Sequence, residues 1–186
     1  MTAVQTAPAA GTKTEWKLDP THTLVEFSAK HLMITTVKGR ITDVEGSIFI
    51  DEQDPKNSTV KASLNAASID TRTGQRDDHL RSADFLDVEK YPAIKFESTR
   101  LEGDRNEFKL IGDLTIRDVT REVTLDVTFE GKVKDPWGGE RVGFSAKGKI
   151  DRRDFGLTWN VVLEGGGLTV GHDIKIAIEV EATKVA

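Results

Sequence analysis

The amino-acid sequence predicts an all-β, antiparallel protein of about eight strands with one short helix in a long connection. Three observations predict it. Apolar and polar residues alternate with a period of two along most of the chain, as expected of strands that bury one face and wet the other. The alternating runs are joined by short Pro-, Gly-, Asn- and Asp-rich turns, which suit antiparallel neighbours and not parallel crossovers. The alternation then fails over 70–92, where a helix fits better than a strand.

The first residues, MTAVQTAPAAGTKT, are small and polar. They are expected to form a disordered tail over 1–14, ahead of a single domain over 15–186. In the first run Val25, Phe27, Ala29 and His31 share a face, and Leu24, Glu26, Ser28 and Lys30 share the other. The segment 35–50 is extended, but its phase slips near Ile41–Val44, and a β-bulge is the simplest cause. A polar turn around Asp54–Asn57 leads to a face of Val60, Ala62, Leu64 and Ala66. The next strand begins with Ile94 and Phe96. The following ones carry Phe108, Leu110, Gly112, Leu114 and Ile116, then Val123, Leu125, Val127, Phe129, Gly131 and Val133. The last two carry Val142, Phe144, Ala146, Gly148 and Ile150, then Ile174, Ile176, Ile178, Val180 and Ala182. Between 70 and 92, residues 75–83 read as a helix with Leu80 and Phe85 as anchors, and Pro92 forces an extended start to the next strand.

A closed barrel and a two-sheet sandwich both satisfy this pattern, and closure also removes exposed sheet edges. Ala62, Gly112, Gly131, Ala146 and Gly148 fall on apolar faces, where a filled core favours larger residues. Two readings are open: room for a ligand, or sharp strand curvature.

Composition excludes several classes. The chain has no cysteine, which removes disulfides, thiol nucleophiles and cysteine-held metals. Acidic and basic residues interleave to a net charge of −5, and no basic stripe with aromatics suggests a nucleic-acid partner. No run approaches the roughly 20 apolar residues of a membrane span. No signal peptide is visible, so a cytoplasmic location is expected. His22, His31, His79 and His172 lack metal-ligand spacing, so no metal is expected. The chain shows neither a Gly-x-Ser-x-Gly elbow nor a phosphate-binding loop, and Gly165–Gly167 reads as a rim loop. His31 lies on an apolar face, either as a satisfied core histidine or as a polar contact at one end of a pocket. His79 either caps neighbouring carboxylates or lines a mouth.

Several blocks resemble the YceI-like, polyisoprenoid-binding family: LDPTHTLVEFSAKHL at 18–32, with Asp19, Pro20, His22, Phe27 and His31; SIDTRTGQRDDHLRSADFLDVEKYPAIKFEST at 68–99; LIGDLTIRDVTREVTLDVTFEG at 110–131; and GFSAKGKIDRRDFGLTWN at 143–160. The resemblance spans about 16–183 in order. It implies an extended, lipocalin-like, eight-stranded barrel. It also implies a bound polyisoprenoid lipid or isoprenoid quinone and no other cofactor. Many relatives carry a signal peptide and are periplasmic. With the apolar faces, the resemblance implies a channel lined by Val25, Phe27, Ala29, His31, Leu64, Leu80, Phe85, Tyr91, Ile94, Phe96, Leu114, Phe144 and Trp159. A head group would be met by His31, His79 or Arg76, and no catalytic residue is implied. Transient membrane contact and a homodimer fit such a protein. The competing readings are a small hydrolase or isomerase using the rim histidines, a haem-type binder with His31 as axial ligand, and an interaction module with a solid core.

Overall fold

The computed structural model describes residues 13–186. Over these residues the chain forms eleven strands and one α-helix: β1 (Thr14–Leu18), β2 (Leu24–His31), β3 (Thr35–Ile41), β4 (Val44–Ile50), β5 (Thr59–Asn65), β6 (Ile69–Asp70), α1 (Gly74–Arg81), β7 (Ala93–Gly103), β8 (Glu107–Ile116), β9 (Val119–Lys134), β10 (Glu140–Asp151) and β11 (Val170–Lys184). The tail expected over 1–14 lies outside the described residues except for its last two, and Thr14 already pairs with Ile50.

The ladder runs β1-β4-β5-β7-β8-β9-β10-β11, and β11 pairs back onto β1 to close an antiparallel barrel of eight strands. The remaining strands continue three of these. β2 follows β1 along β11, β3 lies beside β2 ahead of β4, and β6 follows β5 beside β3. Closure settles the choice between barrel and sandwich.

The phase slip near Ile41–Val44 is a strand break. β3 ends at Ile41 and β4 starts at Val44, and both residues are buried. Between them the backbone bonds sideways: Thr42 N–H donates to the Ser68 carbonyl (3.4 Å), and the Asp43 carbonyl accepts from Asn65 N–H (2.9 Å).

A second irregularity overturns part of the predicted pattern. Gly131 pairs with Gly143, yet Phe129 pairs with Phe144, so Glu130 is an extra residue in β9. Gly131 accommodates the bulge at φ +137°, a conformation that L side chains rarely adopt. Beyond it the faces swap. Val133, expected inside, is 63% exposed, and the Lys132 ammonium lies 5.3 Å from the Trp16 ring.

Gly131 thus marks strand curvature and Ala62 and Ala146 border the interior space, whereas Gly112 and Gly148 act differently from either expectation. A Cβ on Gly112 would fall 2.6 Å from the Phe96 ring and 2.6 Å from the Glu97 carbonyl. A Cβ on Gly148 would fall 2.6 Å from a Leu125 methyl. These glycines let large neighbouring side chains lie flat across the strand.

One barrel end carries α1. Its sequence, GQRDDHLR, has one apolar residue, and polar bonds fasten it. Buried Asp77 accepts from Thr71 N–H (2.8 Å), and Arg81 donates to the carbonyls of Ala67 and Ile69 at 2.8 Å each. Beneath it Phe85, Leu86, Ile69, Ile116, Phe155 and Leu157 form the core of this end. Near the opposite end Trp16 is fully buried against Ile48, Val142 and Ala182.

The seam between β1 and β11 is flanked by an ion-pair network. Arg141 contacts Asp19 (3.0 Å), Asp135 (2.9 Å) and Glu181, and His22 Nδ1 lies 3.0 Å from Asp19. Thr21, His22 and Arg141 hold the Asp19 carboxyl well below the usual carboxylate range. The hydrogen bond and charge of Asp19, with Glu181, raise the His22 imidazole.

Gly112→Ala is expected to destabilise the protein by about 1–3 kcal/mol, since a carbonyl is among the atoms it meets. Chemical denaturation with an unchanged m-value checks this. The network sets a pH window. Asp19 stabilises above its unfolded pKa of about 4 and is lost as pH falls through its depressed folded value. His22 stabilises below its unfolded pKa of about 6.5 and is lost as pH rises through its raised value. Thermal unfolding across pH is therefore expected to show a flatter acid limb for Arg141→Gln and a flatter alkaline limb for His22→Gln.

Candidate ligand-binding cavity

The alternating faces enclose a cavity of about 1000 Å³ that runs from Trp16 and Asp51 to α1. Most of its wall is assembled by strand period. Every second side chain of each strand points inward, so Val25, Phe27 and Ala29 of β2 meet Leu64 of β5, Ile94 and Phe96 of β7, Leu114 of β8 and Phe144 of β10 around one space. Leu80, Phe85 and Trp159 border it at the α1 end.

All predicted lining residues border the cavity except Tyr91. Its ring lies outside, with the Lys90 ammonium 5.1 Å and the Arg117 guanidinium 5.7 Å from its centroid.

His31 is exposed at the end of β2 and borders the cavity there, so the core-histidine reading does not hold. His79 is half-buried. Its Nε2 lies 2.9 Å from Asp84 Oδ2, and its ring meets Phe85 and Trp159 edge-on at 5.1 and 4.6 Å. Ser82 Oγ donates to the His79 carbonyl (2.7 Å), away from the imidazole. A His–Asp pair is thus present, but this nearby hydroxyl is not turned toward it as a nucleophile would be. Arg76 borders the cavity and donates to Thr71 Oγ1 (2.7 Å), the Thr71 carbonyl (2.8 Å) and Thr73 Oγ1 (3.1 Å).

The sequence reading passed over several lining groups. Ile176, Ile178 and Val180 border the cavity and were in phase on the predicted inward face. Trp16 was readable from its period-two relation to Leu18. Lys132 was hidden by the bulge. Arg152 is 3% exposed and borders the cavity, and nothing in its local sequence marks it as buried.

The end opposite α1 is polar. Lys132 Nζ bridges Glu52 (3.0 Å) and Glu140 (3.2 Å), and Arg105 donates to the Glu52 carbonyl (3.0 Å). Asp19, His22 and Glu181 bring their ligand-type atoms within 4.8 Å of one another. The Arg141 guanidinium already occupies that cluster as its cation.

At the α1 end large apolar side chains face solvent. Ile34 is 78% exposed and Met33 54%, on the β2–β3 hairpin. Val162 is 72% exposed and Val161 51%, on the neighbouring loop. Leu32 N–H donates to the Thr169 carbonyl (2.9 Å), joining the two.

Comparison with known proteins agrees with this architecture. The YceI-like domain matches residues 16–182. The chain is 39% identical over 167 residues to Protein YceI of Escherichia coli O157:H7, covering 89% of this chain and 85% of that protein. A YceI protein of Campylobacter jejuni, known by crystal structure, is 34% identical with a TM-score of 0.71, covering 84% of this chain and 90% of that one. A polyisoprenoid-binding domain from Saccharophagus degradans shares the fold at 12% identity and a TM-score of 0.67, covering 91% and 98%. With a family match across almost the whole described barrel and a relative at this identity, the chain belongs to the YceI-like family.

Proposed function

We propose that the protein binds a long-chain isoprenoid lipid, of polyprenyl phosphate or isoprenoid quinone type, inside the barrel, for carriage, storage or sensing. The observation that carries this reading is the cavity itself: about 1000 Å³, continuous along the barrel and walled almost wholly by aliphatic and aromatic side chains. This is at the upper end of the roughly 300–1,000 Å³ usual for small-molecule pockets. Each methylene buried there contributes about 0.8 kcal/mol, so chain length alone supplies affinity. The Saccharophagus domain, named for polyisoprenoid binding, supports the ligand class by shared fold. Binding is favoured over turnover because the His79–Asp84 pair is packed against aromatic rings, with the Ser82 hydroxyl turned away.

Membrane contact belongs to the same reading. The hairpin tip 31–37, HLMITTV, carries no acidic residue and lies between Lys30 and Lys38. An apolar tip with basic flanks, beside the cavity, suits a brief encounter with an anionic bilayer from which the lipid is drawn.

Delipidated protein is expected to bind a polyprenyl lipid saturably, and gently purified protein to release lipid in native mass spectrometry. Absence of both results would refute the reading. Ala62→Phe narrows the cavity midway and is expected to weaken a long chain about tenfold or more while sparing a short one. Paired titrations with two chain lengths test this. Met33→Ser with Ile34→Ser is expected to reduce co-flotation with anionic vesicles without changing affinity for a lipid supplied in detergent. Unchanged flotation would remove the membrane step.

A further inference from the structure

We infer that the α1 end of the cavity is an anion site, built around the buried Arg152 guanidinium, that receives the phosphate or carboxylate head group of a single-chain amphiphile. The inference rests on the lipid-binding reading above and adds the chemistry and direction of the ligand.

Arg152 is 3% exposed and borders an otherwise apolar cavity. Backbone carbonyls orient it: Nε donates to Gly171 (2.9 Å), Nη1 to Leu157 (2.6 Å) and Nη2 to Val170 (3.2 Å). A guanidinium has five N–H donors, so each terminal nitrogen keeps one proton beyond these bonds. Among the described residues no carboxylate pairs with it. The adjacent Asp151 is turned to the exposed Arg153, whose Nη2 lies 2.5 Å away. Burying a cation without a counter-charge is unfavourable, and burial lowers the Arg152 pKa accordingly. The charge has partial-charge acceptors and no paired anion, and Arg152 borders the space a ligand would fill.

The remaining charges on the wall point the same way. At the α1 end the cavity is bordered by Lys30, Arg76 and Arg152 and by no carboxylate. Arg76 is partly offset, because the Thr71 hydroxyl it donates to is itself bonded to Asp77. Farther along β2, Glu26 pairs with Arg40 (3.3 Å). The opposite end is bordered by Asp51, Glu52, Asp54, Glu102 and Asp104. Three bases there, Lys56, Arg105 and Lys132, leave it net acidic. The cavity is thus apolar along its length, basic at one end and acidic at the other. That pattern orients an anionic amphiphile with its head under α1 and its tail toward Trp16, and it repels the opposite orientation.

The test compares geranylgeranyl monophosphate, geranylgeraniol and inorganic phosphate on the same full-length protein, read by tryptophan fluorescence from the cavity-lining Trp16 and Trp159. The monophosphate is expected to bind about tenfold or more tighter than the alcohol, and this preference to collapse in Arg152→Gln. Arg152 also ties three carbonyls, so folding of the variant is checked by circular dichroism. If it is unfolded, Arg76→Gln decides, with a fall in the preference of about threefold or more expected. Equal affinity for monophosphate and alcohol in the wild type, or a preference unchanged in the folded deciding variant, overturns the head-group site and leaves lipid binding standing. Inorganic phosphate competing as strongly as the monophosphate also overturns it, since the site would then read a free anion. No binding of either isoprenoid overturns the lipid-binding reading together with the site.

Discussion

A sheet can enclose a ligand only if its first and last strands meet, and here that meeting is three residue pairs long. Trp16, Lys17 and Leu18 of β1 face Lys184, Thr183 and Ala182 of β11. Toward α1 the barrel is closed by β2 along β11 and by β3 against β2 and β6, while closure at the Trp16 end depends on this short ladder. Its reinforcement is correspondingly heavy. Trp16 is fully buried at the seam, Lys132 lies over its ring, and Arg141 draws Asp19 of the β1–β2 corner toward Glu181 of β11. Hydrophobic burial fixes the inner side of the seam and charge the outer side.

The two ends of the barrel are finished by different physics. At the α1 end, apolar side chains pack beneath the helix around the end of the cavity, while the helix itself is held by Asp77, Arg76 and Arg81 bonding to backbone and hydroxyl groups. Leu80 is the one apolar side chain that the helix itself adds to that packing. The far end is a lattice of ion pairs around Glu52 and Lys132, exposed and responsive to salt.

The fold was legible where one rule acts alone. Ile174, Ile176, Ile178 and Val180 alternate without interruption, and the period placed all of them on the cavity wall. The rule failed where a single residue is inserted. Glu130 reverses the faces of β9, and no local feature except Gly131 announces it. Tyr91 was expected on the channel wall, whereas its ring lies outside the cavity between Lys90 and Arg117, a cation from a separate turn that the sequence does not place there. Arg152 was unreadable for a deeper reason. In sequence an arginine reads as surface, and its burial follows from three carbonyls that only the folded turn and β11 bring together. Gly112 was read as room for a ligand or as strand curvature, whereas it is a platform under the Phe96 ring.

The long strands on one side of the barrel have a consequence for selectivity. β9 has 16 residues and β11 has 15. At about 3.3 Å per residue such a strand is roughly 50 Å long, and a tilt of about 40° leaves a barrel some 40 Å tall. A tunnel of fixed height with chemically distinct ends behaves as a ruler. A hydrocarbon that matches it covers the whole wall, a shorter one leaves apolar wall facing water, and a longer one must double back or emerge among the charges at the far end.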